Sequence, residues 1–340
     1  MSGAAARNRE RGPFGRLAWG AYAAAMDLPE RPMRWAQARL RDGRLGWLFV
    51  GPNLIVFGLF TFLPILIDVV FALTGGTALL PSQRPFVGTQ NLAQLLACKN
   101  YLHPSSCYDD QFWYGVWNTA WFVLFQVGLM IVFSLATALV LNRKIIGRGF
   151  FRAVFFYPVL LSPVVVALIW KWMLQRFGVL NAALQGVGAH PVDWLLNAHW
   201  AFGWTVFVSI WAHMGFYTLI LLAGLQAIPR DIYEAAAMDA TPPGRVFWRL
   251  TLPLLMPNLL VVLVLALIRA VQIFDEVFVL TGGGPGSATT YLVEFIYNTG
   301  FAQQVRQYGL ASAASLLLAA VLLVLTLTQL GLTRWSAKRG

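Results

Sequence analysis

The residues able to do chemistry in this chain are few. Asp109 and Asp110 form an isolated aspartate pair in a polar loop, and the second aspartate cluster that a diphosphate site would need is missing. His103, His190, His199 and His213 are scattered without metal-ligand spacing. The run TGGGPGS, Thr281–Ser287, is glycine-rich, but no Lys-Ser or Lys-Thr follows it and no strand precedes it. It is therefore not a phosphate-binding P-loop. Cys98 and Cys107 share the loop ACKNYLHPSSCYDD with His103 as the only nearby imidazole. A zinc site usually takes four ligands, so a structural disulfide is the expectation rather than a metal or two free thiols. No catalytic residue, metal or cofactor is expected in this chain. ATP and Mg, if used, would be bound by a partner.

The stretch IPRDIYEAAAMDATPPGRVFWRLTLPLL, Ile228–Leu255, carries six charges in a chain that is 11% charged overall. Asp231, with Glu234 three residues on, has the form of a capping box. Thr241 before Pro242 should end that short alanine-rich helix and cap a second one with Pro242 at its first position. Phe247, Leu250 and Leu254 follow at helical spacing. The expectation is a helix–turn–helix at the membrane surface. A helix this short is marginal in water and needs a surface to dock on. An ordinary connector between spans is the alternative.

The surrounding elements follow from composition. The 340 residues are 58% hydrophobic, with a mean hydropathy of +0.64. That is far above the roughly 45–50% apolar content of soluble domains and indicates an all-α polytopic membrane protein. Five runs are long enough to cross a bilayer: Gly46–Leu73, Trp117–Leu141, Phe202–Leu225, Leu259–Leu280 and Leu310–Leu332. A sixth, Ala153–Leu174, contains Pro158 and Pro163, which membrane helices tolerate. Six transmembrane helices are predicted. The net charge of +11 does not point to nucleic acid, because the basic residues sit in loops between spans. Nine arginines precede Gly46, and Arg143, Lys144, Arg148, Arg152, Arg230, Arg245, Arg249, Arg334, Lys338 and Arg339 follow on the same side. The alternate loops and their margins hold only Arg84, Lys99, Lys171, Arg176 and Arg306. Both termini, and the Ile228–Leu255 loop, should therefore be cytoplasmic. Residues 1–45 read as a basic cytoplasmic tail, either disordered or with an interfacial amphipathic helix carrying Arg34 and Arg41. Residues 46–335 read as the membrane domain, with its loop at 228–255. Trp170, Trp172, Trp194, Trp200 and Trp204 are expected in an interfacial aromatic belt facing lipid.

The stretch EAAAMDATPPGRVFWRLTLP resembles the cytoplasmic EAA loop of bacterial ABC importer permeases. That pattern reads E-A-A-x-x-D-G-A, then a spacer to I-x-x-P with a phenylalanine inside. Glu234, Ala235, Ala236, Asp239, Phe247 and Pro253 match in place, and Leu250 stands for the isoleucine. Ala240 and Thr241 depart from the usual Gly and Ala. A second stretch, FDEVFVLTGGGP, resembles the signature of carbohydrate-uptake permeases of the maltose and glycerol-phosphate type, first subunit, through Phe274, Asp275, Leu280, Thr281, Gly283, Gly284 and Pro285. The resemblance runs from Gly46 to the C-terminus. It implies the type I importer permease fold with a cytoplasmic coupling helix, in the bacterial inner membrane. It also implies a sister permease, two cytoplasmic ABC ATPases that bind ATP and Mg, and an extracytoplasmic sugar-binding protein. Glu234–Asp239 would then sit in a cleft of one ATPase.

Polar residues within spans suggest the solute path. Arg269, Gln272 and Glu276 recur at +3 and +4 along span five, with Asp275 adjacent. A charge in the bilayer is costly and should face the protein interior or a wet cavity. This set is either a hydrophilic wall beside the path, with Gln272 touching sugar, or an ion pair that orients the span. An ATP-independent secondary transporter would account for the spans but not for the Glu234 loop. A membrane-embedded transferase would need a clustered acidic or metal site, which is missing. An ABC importer for another solute class is disfavoured by FDEVFVLTGGGP.

Overall fold

A computed structural model describes residues 42–143 and 145–337. Apart from 42–45, the basic segment 1–45, with the interfacial helix considered for it, lies outside the described residues. The chain divides into two units, 1–67 and 68–340. In the first, α1 (Asp42–Phe57) runs into a π turn, Gly58–Phe62, where the Leu63 amide donates to the Gly58 carbonyl. Helix α2 (Leu63–Ala72) follows.

The described secondary structure of the second unit is helical, apart from two isolated β-bridges. Its elements are α3 (Gln90–Leu96), α4 (Asp110–Asn142), α5 (Arg148–Phe156), α6 (Pro163–Met173), α7 (Val179–Gly186) and α8 (Ala198–Ala227). They continue as α9 (Arg230–Met238), α10 (Pro243–Val246), α11 (Leu252–Val271), α12 (Asp275–Leu280), α13 (Leu292–Tyr297) and α14 (Tyr308–Ala337). Among the described residues five helical stretches are long and apolar enough to cross a membrane: Val50–Ala72, Asp110–Asn142, Ala198–Ala227, Pro243–Val271 and Tyr308–Gly331.

Two predicted spans need correction. The Ala153–Leu174 run is not one continuous helix: α5 and its 3-10 extension to Leu160 meet α6 at a bend of 100°. Pro158 and Pro163 cannot donate to the helix ladder, and Leu161 and Ser162 between them are extended. The broken pair counts as a sixth span only if both limbs are taken together. The predicted Leu259–Leu280 span begins at Pro243 and stops at Val271. Phe274 adopts φ −148° and ψ −64°, outside the helical region, before α12 restarts at Asp275.

The core lies where α4, α8 and α11 meet. Phe122, Met130, Leu221, Leu255, Val262 and Ala266 are buried there. In a membrane the hydrophobic effect does not drive helices together, so close backbone approach and hydrogen bonds matter more. Gly215 on α8 shows this, because a Cβ there would lie 2.2 Å from the carbonyl oxygen of Phe155. Replacing Gly215 by alanine should push α5 off α8 and cost about 1–3 kcal/mol. The expected readout is a lower thermal unfolding midpoint in detergent, with no change in membrane insertion.

Candidate coupling loop and polar cluster

The loop 228–255 forms two helices, but its caps differ from the expected ones. Helix α9 starts at Arg230 behind Pro229, and no side chain caps it. The capping box of Asp231 with Glu234 is not made. Asp231 lies instead in the first turn, where the helix dipole favours an acid. Thr241 does not cap the second helix, which begins one residue later with Pro243 in its first turn. The reason is that Thr241 is committed to the end of α9. Its amide donates to the Ala236 carbonyl at 3.0 Å, and the Ala240 amide donates to Ala237 at 3.1 Å. This pair of bonds is a Schellman motif, whose left-handed residue is usually glycine. Here that residue is Ala240, with φ +49°.

The two helices are tied together and to the core. Tyr233 Oη and Thr251 Oγ1 are 3.2 Å apart. Ile232 and Tyr233 pack on the buried cluster, and Ala236 is buried. Ala236 therefore faces the membrane body, not an incoming partner. Glu234, Ala235, Met238 and Asp239 are exposed, as is Pro253, while Phe247 is half-buried. Phe247 also lines a cavity of about 530 Å³ behind the loop, together with Asn142, Arg143, Tyr233 and Thr251. From α10, a π turn at Phe247–Thr251 leads straight into α11. The second half of the loop is thus the foot of the Pro243–Val271 span, not a separate surface helix.

At the other end of that span the chain breaks, and polar residues gather around the break. Glu276 is buried and its Oε1 lies 3.2 Å from Arg269 Nη2. His213, on α8, completes the group. Its Nδ1 is 2.9 Å from the Ser209 carbonyl, so this nitrogen donates and Nε2 accepts from Arg269 Nη2. His213 Nε2 is also 3.4 Å from Glu276 Oε1. Gln272 and Asp275 are exposed and, with Arg269 and Glu276, line a cavity of about 220 Å³. The four residues do not share one face of a continuous helix, because the helix stops between them. The break itself brings Arg269 back onto Glu276. His213 was not singled out from sequence, although a lone imidazole inside an apolar span marks an intramembrane ionisable group.

The glycine-rich segment is an ordered loop. Thr289 Oγ1 donates to Thr281 Oγ1 at 2.8 Å and to the Gly284 carbonyl at 2.7 Å. Asn118 Nδ2 on α4 donates to the carbonyls of Ser287 at 2.7 Å and Thr290 at 3.0 Å. Gly283, with φ +83°, sits over Glu294, where a Cβ would come within 3.0 Å of Glu294 Oε1. Glu294 is 1% exposed and neither of its carboxyl oxygens has a hydrogen-bond partner. Burial pushes its pKa up to about 7.

Other predicted features fall as follows. Cys98 and Cys107 are bonded to each other. The tryptophans pack on one another. Trp170 packs against Trp204 and Trp211 with ring centroids 5.7 and 5.6 Å apart, and Trp194 packs on Trp200 at 4.9 Å. Trp172 and Trp200 remain exposed. Arg84 is a buried structural residue that donates to Thr74 and Ala78. Among the described residues no three His, Cys, Asp or Glu side chains gather as a metal site would require.

The profile of the binding-protein-dependent transport system inner membrane component matches residues 128–339. This chain belongs to that family. Within the family, it is 35% identical over 301 residues to the trehalose/maltose transport system permease protein MalF of Thermococcus litoralis, covering 88% of this chain and 97% of that one. It is 33% identical to the lactose transport system permease protein LacF of Rhizobium radiobacter, over 84% of this chain and 92% of LacF. The fold matches a chain of a bacterial ABC transporter that imports alginate, with a TM-score of 0.71 and 24% identity over 89% of this chain and 98% of the other.

Two outcomes follow from this geometry. Ala240 holds a left-handed conformation that costs an L-residue about 1–2 kcal/mol, so Ala240→Gly should raise the unfolding midpoint of the protein. Glu294 has a raised pKa in the folded state, so its contribution is complete below its unfolded value of 4.5 and fades as pH rises through about 7. Stability should decline between pH 5 and pH 8, and Glu294→Gln should flatten that decline in a pH series of thermal melts.

Proposed function

We propose that this chain is the membrane-spanning permease of an ATP-driven sugar importer, working with a sister permease, two cytoplasmic ABC ATPases and an extracytoplasmic sugar-binding protein. The observation that carries the reading is the shape of the loop 228–255. One face of α9, with Ile232, Tyr233 and Ala236, is seated on the body. The opposite face offers Glu234, Ala235 and Asp239 to the outside. A short helix with small and acidic exposed residues fits a groove on a partner. The relatives named for trehalose/maltose and lactose transport support a sugar as cargo.

The route from partner to path is mechanical. The Tyr233–Thr251 contact joins α9 to the foot of the Pro243–Val271 span. A partner that grips α9 and closes on ATP would move that span as a rod. The upper end of the rod carries Arg269 and Gln272 at the cavity beside Asp275 and Glu276. Gln272 is the residue assigned to sugar contact, since a neutral amide bonds hydroxyls without trapping them. Arg269 and Glu276 form the ion pair that orients the break. The loop and both chain termini are assigned to the cytoplasm on the distribution of arginine and lysine. ATP and Mg belong to the ATPase subunits.

Glu234→Lys reverses a charge at the docking face without touching the membrane core. Losing a matched interfacial charge costs about 2–5 kcal/mol, so sugar uptake and ATPase stimulation should fall roughly 30-fold or more, while the protein still inserts. Undiminished ATP-driven uptake by this variant in proteoliposomes would refute the docking role.

A further inference from the structure

Helix α5, Arg148–Phe156, places a basic pair beside an aromatic pair, and neither is used by the coupling loop or the polar cluster. Arg148 and Arg152 lie one turn apart. With the Gln226 amide turned so that its oxygen faces them, Arg148 Nη2 and Arg152 Nη2 donate to that oxygen at 2.8 and 2.9 Å. A neutral amide is a poor counterpart for two guanidinium groups. Among the described residues no carboxylate pairs with either arginine. The Nε atom of each is buried and has no hydrogen-bond partner. Next to them, each at +3 from an arginine, Phe151 and Phe155 wall an open groove of about 370 Å³, closed on its far side by Val140, Leu141 and Ile145 at the end of the Asp110–Asn142 span. Beside it, Phe150 and Val154 are exposed.

A helix whose arginines border a phenylalanine-walled groove, set at the end of a membrane span, suits the lipid interface. Basic pockets between helices at that level bind anionic headgroups. We propose that α5 and the end of α4 form a binding site for an anionic phospholipid, with its phosphate on Arg148 and Arg152 and an acyl chain in the Phe151–Phe155 groove. The charge of the site selects the occupant. The chain's own N-terminal segment carries nine arginines before Gly46 and is repelled by the same two residues. A zwitterionic lipid offers the same tail but adds a cation to a place already holding two. The assignment holds whichever solute the chain carries, so it can fail or succeed independently of the transport reading.

The test uses the full complex in nanodiscs of phosphatidylcholine with or without phosphatidylglycerol, followed by native mass spectrometry of the lipids that stay bound. Wild-type protein should retain phosphatidylglycerol in preference to phosphatidylcholine. Arg148→Gln combined with Arg152→Gln should lower that preference roughly thirtyfold, and Arg148→Lys with Arg152→Lys should keep most of it. Equal retention of both lipids by the wild type, or an unchanged preference in the glutamine variant, would overturn the site. Should the double variant not assemble, a photoreactive phenylalanine analogue at position 151 decides the matter in otherwise native protein. Crosslinking to phosphatidylglycerol supports the site, whereas crosslinking to another permease or ATPase chain shows that the groove is a protein interface.

Discussion

A buried carboxylate organises the membrane-embedded part of this protein. Glu276 is almost wholly excluded from solvent, and an ionised group in that position is tolerated only when paired and hydrogen-bonded. Its partners come from two other helices, Arg269 on α11 and His213 on α8. The consequence is geometric. For Arg269 to reach back to Glu276, the helix between them has to stop and restart, and it does so at Gln272–Phe274. The interruption leaves Gln272 and Asp275 open at a cavity. Polar groups near a helix break are affordable in lipid only where they line a cavity or are covered by protein. One ion pair thus accompanies the break and leaves Gln272 and Asp275 open at the cavity.

The coupling loop depends on a similar division between held and free residues. Ala236 and Tyr233 hold α9 to the body, and the Schellman turn at Ala240 directs the chain into α10. Because α10 flows through a π turn into α11, the loop is mechanically continuous with the span that carries Arg269. The opposite end of the molecule is tied down just as firmly. Asn118 anchors the glycine-rich loop to α4, the Cys98–Cys107 bond closes the first long loop, and Glu294 sits sealed beneath Gly283.

Much of this was legible in the sequence. Apolar runs of sufficient length located five spans, because partition into lipid depends on composition over a window and not on neighbours in space, but the Leu259–Leu280 run misplaced both ends of the Pro243–Val271 helix. Helix α9 and its family motif were legible for the same reason, since alanine content, prolines and local spacing act within a turn or two. Its caps were not, because Thr241 had two local roles open to it and the winning one depends on Ala240 entering the left-handed region. The prolines of Ala153–Leu174 were compatible with a single span, and the bend of 100° depends on where α6 can pack.

What the sequence determined by itself was therefore the membrane class, the approximate spans, the charge asymmetry and the presence of a short helix at the loop. Tertiary structure decided which polar residues meet. His213 and Arg269 are 56 positions apart, Asn118 and Thr290 are 172 apart, and no periodicity connects them. Such pairs form because a group removed from water must find a partner wherever packing brings one within reach, and only the folded chain specifies that distance.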